Sequence, residues 1–217
     1  MKKLIDGIVE YREHMLPKYA QRFQDLAFRQ TPDALFITCA DSRVVPDLLV
    51  STHPGDLFTM RNVGNLMPPA TAEGVSTGDL SEASAIEYAV LVLQVANIVV
   101  CGHSECGAMK AVLAGHAKSE TPNLNKWLHH ASSAAFRLDH EGALDATLKP
   151  HDQLSQLNVL VQLEHLMSYP IVRERVSAGT LHLNGWWFEV ASGSLYAYVR
   201  TSRSFELIDR KMAERFA

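Results

Sequence analysis

Apolar and polar positions change rhythm several times along this chain. Over residues 1–30 the apolar positions Leu4, Ile8, Tyr11 and Met15, then Phe23 and Leu26, fall at helical spacing. That pattern predicts an amphipathic helical arm, which Pro17 is expected to divide. Thr31-Pro32-Asp33 signals a turn. The unbroken run "ALFITCA" that follows predicts a short buried strand. Pro46 and Asp47 are expected to open a short helix, and "LFTMRNVG" (57–64) reads as a second strand. After a loop rich in Pro, Gly, Thr and Ser, "SEASAIEYAVLVLQV" (81–95) predicts a helix with Ser81 as its N-cap.

"NIVVCGH" (97–103) is a third apolar strand, and "ECGAMKAVLAG" starts a helix at its end. Helical segments follow near 123–138, 152–168 and 170–178. "LHLNGWWFEV" (181–190) and "LYAYVR" (195–200) are expected to pair as a hairpin around Gly193. "FELIDRKMAERFA" reads as a closing helix. Strands alternating with helices predict an α/β fold with a mostly parallel central sheet and flanking helices. To this the pattern adds a C-terminal antiparallel hairpin and the N-terminal helical arm. With 217 residues and no internal repeat, the chain fits one domain, 1–217, of which 1–30 is the arm.

Composition narrows the function classes. The apolar share is 47% and the charged share 20%, ordinary for a globular protein large enough to bury a core without disulfides or a structural metal. Any metal is therefore expected to serve chemistry. A formal net charge of -4 offers no basic field for nucleic acid. Asp6, Glu10, Arg12 and Glu13 interrupt the N-terminus, so it is not a signal peptide, and no apolar run reaches membrane-spanning length. A cytoplasmic protein is expected. Its three cysteines, 39, 101 and 106, then point to metal or catalysis before disulfides.

The chemistry sits at strand ends. In an α/β sheet ligands bind beyond the carboxyl ends of parallel strands. The first strand ends in Cys39-Ala40-Asp41-Ser42-Arg43, and the third in His103-x-x-Cys106. Two thiolates and an imidazole favour Zn²⁺ in tetrahedral geometry, with one position left open for water. The sets can meet only if the two strands are near neighbours. Cys106 at a helix start gains from the unpaired N–H groups there. Two thiolates neutralise the ion, so such a site needs a proton acceptor. Asp41 is placed for that task, or alternatively to bind the metal itself and close the site. A bidentate pair with Arg43 would decide the matter by holding the carboxylate away and ionised. Each half-motif is weak alone; together, each ending an apolar strand, they are specific.

"CADSRVVP", "MRNVGN", "CGHSECGAM" and "NGWWFEV" resemble the β-class carbonic anhydrases, over about residues 25 to 200. The resemblance implies reversible hydration of carbon dioxide to bicarbonate and a proton by a zinc-bound hydroxide. It implies Cys39, His103 and Cys106 as zinc ligands and Asp41 and Arg43 as the catalytic dyad. Gln30 and the amide of Gly107 would meet the substrate oxygens. Phe58, Val63 and Tyr88 would wall a narrow pocket at a subunit interface, in a homodimer or homotetramer. A subclass of the family holds inhibitory bicarbonate on Trp, Arg and Tyr. Here the matching positions read Phe36, Arg61 and Phe188, which implies the open-site form.

Other readings stand beside this one. One alternative substrate is a CO2 analogue such as carbon disulfide; another reading is a non-catalytic zinc or thiol-sensing protein in which Cys101 is redox-active. Cys101, inside "IVVCG", otherwise reads as a core thiol. Trp186 and Trp187 read as packing, and His129-His130 as a surface pair or a proton relay.

Overall fold

The structure is a computed structural model that describes residues 1–115 and 120–214. Its six strands are β1 (Ala34–Cys39), β2 (Leu57–Asn62), β3 (Asn97–His103), β4 (His182–Glu189), β5 (Ser194–Val199) and β6 (Ser204–Leu207). They form one sheet in the order β2-β1-β3-β4-β5-β6. The β2–β1, β1–β3 and β3–β4 ladders are parallel, and β4–β5 and β5–β6 are antiparallel. All six residues of β1 are buried, as expected of a central parallel strand covered on both faces.

The helices are α1 (Lys2–Glu10), α2 (Leu16–Leu26), α3 (Pro46–Leu49), α4 (Leu80–Glu87), α5 (Gly107–Leu113), α6 (Pro122–Leu128), α7 (Ser132–Glu141), α8 (Pro150–Ser168), α9 (Pro170–Ser177) and α10 (Arg210–Ala213). Helix α8 lies across β3 and β4 and packs Val159 and Leu166 into the main core with Leu35, Ile37, Ile98 and Val100. Gly102 and Gly185 make that approach possible. A Cβ on Gly102 would lie 2.7 Å from Val159 Cγ2, and one on Gly185 3.0 Å from Val159 Cγ1. Among the described residues, no helix is long and apolar enough to cross a membrane.

Four boundaries differ from the sequence pattern. Pro17 does not divide the arm: a wide turn at Tyr11–Met15 joins α1 to α2, and Pro17 falls in the first turn of α2, where its missing N–H is tolerated. Asp79, not Ser81, caps α4, because its carboxylate reaches the Ser81 N–H at 2.8 Å. The 123–138 segment is two helices separated by a tight turn at His129–Ala131. The closing segment is not one helix. Ser204–Leu207 pairs with β5, and only Arg210–Ala213, capped by Asp209, is helical. Residues 215–217 of that segment lie outside the described residues.

No residue of α1 or α2 is buried. Leu4, Ile5 and Ile8 are each more than half exposed. Among the described residues the apolar stripe of α1 thus finds no cover, whereas α2 rests Leu26 and Tyr19 on the 53–56 turn.

Candidate metal centre

Adjacency of β1 and β3 brings the two half-motifs together. Thr38 pairs with Cys101 across the parallel ladder, so Cys39 and His103 leave the sheet side by side. The turn 104–106 then returns Cys106 toward them at the start of α5. The Cys39 Sγ, a ring nitrogen of His103 and the Cys106 Sγ lie within 4.8 Å of one another, and all three residues are buried.

The donor chemistry fits a metal ion. His103 Nδ1 lies 2.8 Å from the Ser104 carbonyl, which makes Nδ1 the protonated nitrogen and leaves the Nε2 lone pair free. That Nε2 is buried without a hydrogen-bond partner. An imidazole nitrogen buried without a partner beside two thiols is costly unless a cation completes it. The thiols say the same. They are close enough to share one proton, and the Cys106 thiol above all, with the Gly64 N–H, pulls Cys39 down to about 4. Cys106 is pushed up by the Cys39 thiolate and by burial. Only a cation lets both ionise.

Asp41 stands at the mouth of this cluster, its Oδ2 3.9 Å from His103 Nε2. Arg43 grips it through Nε on Oδ1 at 2.9 Å and Nη2 on Oδ2 at 2.7 Å, and its own backbone N–H donates to Oδ1 at 3.0 Å. The guanidinium holds the Asp41 carboxyl well below the usual carboxylate range. Arg61 is occupied elsewhere: Nε donates to the Cys39 carbonyl and Nη2 to the Asp41 carbonyl. Phe36 and Phe188 are buried in one apolar cluster with Val99 and Cys101.

The other sequence-predicted residues divide into two groups. Val63 and Gly107 adjoin the centre. Val63 directly precedes Gly64, whose N–H lies 3.4 Å from the Cys39 Sγ, and Gly107 follows Cys106 as the first residue of α5. Gln30, Phe58 and Tyr88 do not join it within this chain. Gln30 is exposed beyond α2. Phe58 pairs with Leu35, four residues or about 13 Å of strand before the end of β2. Tyr88 packs against Phe58 with ring centroids 5.7 Å apart.

Cys101 is fully buried, and burial pushes its thiol up to about 12. It stands outside the three-residue cluster, so it is a core thiol. We predict that Cys101→Ala leaves the metal-to-protein ratio unchanged and costs about 1 kcal/mol, the scale of losing one buried methyl-sized group. Metal analysis with denaturant unfolding checks both halves. Trp187 is likewise packing, its Nε1 donating to Ser155 Oγ at 3.2 Å. His130 is half-buried, edge-on to Trp127, and burial lowers its pKa.

A supporting layer was not read from the sequence. Helix α8 carries buried Asp152, Ser155, Asn158 and Gln162. Asp152 accepts from the Glu105 N–H at 2.6 Å, and Ser155 donates to the His103 carbonyl at 2.8 Å. Asn158 donates to the Gly64 carbonyl at 3.1 Å and accepts from Gln162 at 2.9 Å. Their three- and four-residue spacing was the available signal. On a helix such a polar stripe ordinarily reads as the face turned to water.

Fold and donor set together define an α/β protein with a metal-competent centre at the carboxyl ends of adjacent parallel strands. The carbonic anhydrase family matches it over residues 34–195. A carbonic anhydrase of Pseudomonas aeruginosa is 43% identical over 206 residues, covering 94% of this chain and 90% of its own. The solved β-carbonic anhydrase CcaA superposes with a TM-score of 0.87 at 34% identity, covering 95% of this chain and 98% of that one. A tetrameric β-carbonic anhydrase of Sordaria macrospora superposes at 0.76 with 28% identity, covering 90% and 95%. The chain belongs to the carbonic anhydrase family, in its β class, and is an enzyme of carbon dioxide hydration.

Proposed function

We propose that this enzyme is zinc-dependent, with Cys39, His103 and Cys106 holding the ion and Asp41 and Arg43 serving the reaction. One observation carries the reading: three buried donors converge, one of them the unpartnered His103 Nε2, with an ionised carboxylate beside them. Soft sulfur with nitrogen selects zinc over the hard cations. Zinc supplies the Lewis acidity that turns water into a nucleophile at neutral pH.

The protein's own groups do the rest. Asp41 Oδ2 would accept a hydrogen bond from the attacking water and fix the direction of its lone pair. Arg43 keeps that carboxylate ionised and turned away from the ligands, which supports the open-site form. Val63 lines the approach for an uncharged substrate, and the Gly107 N–H donates to the developing bicarbonate oxygen. With Arg61 committed to two backbone carbonyls and two phenylalanines in place of polar partners, bicarbonate finds no inhibitory seat at Phe36, Arg61 and Phe188.

The same proposal places the chain in a homo-oligomer, a dimer or a tetramer. The uncovered stripe of α1 favours a second copy as its cover, and the Sordaria macrospora neighbour is tetrameric. Gln30, Phe58 and Tyr88, which lie apart from the centre in their own chain, would then complete the pocket of a partner. Stopped-flow hydration of CO2 by the purified protein, with zinc analysis, tests the function. About one zinc per chain and rapid hydration are expected. A zinc-replete protein without hydration would sink the proposal.

A further inference from the structure

Glu105 is the residue between His103-Ser104 and Cys106, and its backbone is unusual. Its φ is +56°, in the left-handed region that a side chain other than glycine seldom adopts. Something must hold it there. The Glu105 carboxylate pairs with Lys110 and Lys149, with His151 Nε2 3.2 Å away. Its peptide is held from the inside. The N–H is fixed by Asp152 Oδ1 at 2.6 Å, and Asp152 is only 6% exposed. The carbonyl accepts from Arg43 Nη2 at 3.2 Å. That Nη2 is the nitrogen that also donates to Asp41 Oδ2 at 2.7 Å.

We propose that Asp152 is a positioning residue of CO2 hydration, acting through the Glu105 peptide on Arg43 and thereby on Asp41. The inference rests on the assignment of Asp41 and Arg43 as the reacting dyad. The Asp152 carboxylate is buried, its Oδ1 bonded to this N–H at 2.6 Å with His151 Nε2 3.7 Å away, and such burial is costly unless the bond is needed. Its place in the first turn of α8 sets it against the Glu105 N–H, and a carboxylate oxygen makes a stronger bond than a neutral acceptor. With that acceptor in place, Glu105 stays left-handed and its carbonyl faces the guanidinium. Arg43 then has three acceptors, two on Asp41 and one on Glu105, and its plane cannot turn without losing one. Without the Asp152 acceptor, Glu105 relaxes toward ordinary backbone angles, the carbonyl swings away, and the guanidinium is free to rotate off Asp41.

The test compares Asp152→Ala, Asp152→Ser, Asp152→Asn, Lys149→Met and Arg43→Lys in the metal-loaded full chain. It reads hydration per bound metal and the crystal structures of the variants. In Asp152→Ala we expect kcat/KM per metal to fall about 10-fold or more, the scale of losing an outer support of a metal site. The crystal structure should show Glu105 out of the left-handed region and the Arg43–Glu105 contact broken. Asp152→Ser, too short to reach the Glu105 N–H, repeats this should the alanine variant not fold. Asp152→Asn keeps an acceptor and should restore most of the rate. Lys149→Met removes one outer partner of the Glu105 carboxylate and leaves its backbone contacts in place, and should turn over like wild type. Wild-type turnover in Asp152→Ala or Asp152→Ser, or lost turnover with Glu105 and Arg43 unmoved, overturns the inference. So does an asparagine variant no better than the alanine. Arg43→Lys separates the two readings. Full activity there removes the dyad assignment itself, whereas its loss beside an unaffected Asp152→Ala removes this inference alone.

Discussion

Asp41→Asn is expected to lower kcat/KM for CO2 hydration by about 10² to 10⁴, the span of a lost proton-transfer group, with zinc content unchanged. The substitution conserves shape and removes the charge. Arg43 can still donate to the amide oxygen, so the side chain keeps its place, but the amide nitrogen presents protons where the carboxylate presented lone pairs. Because Asp41 is not one of the three converging donors, the metal should stay. Stopped-flow kinetics with metal analysis on one preparation separates these effects. Asparagine at wild-type turnover would remove Asp41 from the reaction.

The sign of the stability change can be checked too. Asp41 is held below its ordinary range by Arg43, so its pairing stabilises the fold above the unfolded carboxylate pKa. That contribution fades as pH falls through the depressed folded value. The asparagine variant should therefore be less stable than wild type at neutral pH, and the gap should close in acid.

Cys106→Ser should take both metal and activity away, with hydration falling to the uncatalysed background. Serine offers a hard hydroxyl, which remains protonated at neutral pH, in place of a soft thiolate. The remaining Cys39 and His103 make a two-ligand site, short of the three that catalytic zinc requires. The effect extends to stability. An ion that binds only the folded chain stabilises it by about 2.7 kcal/mol at a hundred times its Kd. Wild type should gain thermal stability with added zinc and lose it to a chelator, while Cys106→Ser should respond to neither. Metal analysis and thermal unfolding with and without zinc measure this. A serine variant retaining stoichiometric zinc would exclude Cys106 as a ligand.

How much of the site was readable depends on how its residues are carried. Cys39, Asp41 and Arg43 are consecutive odd positions at one strand end, and His103 and Cys106 flank one turn. Short-range spacing was enough for each half. The supports on α8 were not readable, because Asp152, Ser155, Asn158 and Gln162 reveal their purpose only through the loops they touch. Those loops lie about fifty to a hundred residues away along the chain. The strand at Ser204–Leu207 was missed for a related reason. Helical and strand patterns are ambiguous over so few residues, and pairing with the open edge of β5 decided between them.

The sequence by itself determined the alternation of strands and helices, the chemical type of the donors and their places at strand ends. Those properties live in local periodicity and side-chain chemistry. Only the tertiary structure decided that β1 lies beside β3, so that two half-motifs more than sixty residues apart become one centre. It alone showed the Nε2 of His103 as the free nitrogen and Asp41 turned toward Arg43. It also left Gln30, Phe58 and Tyr88 outside their own chain's site. Each of these depends on which surfaces meet once the sheet is assembled, and contact between distant segments has no signature in the spacing of either one.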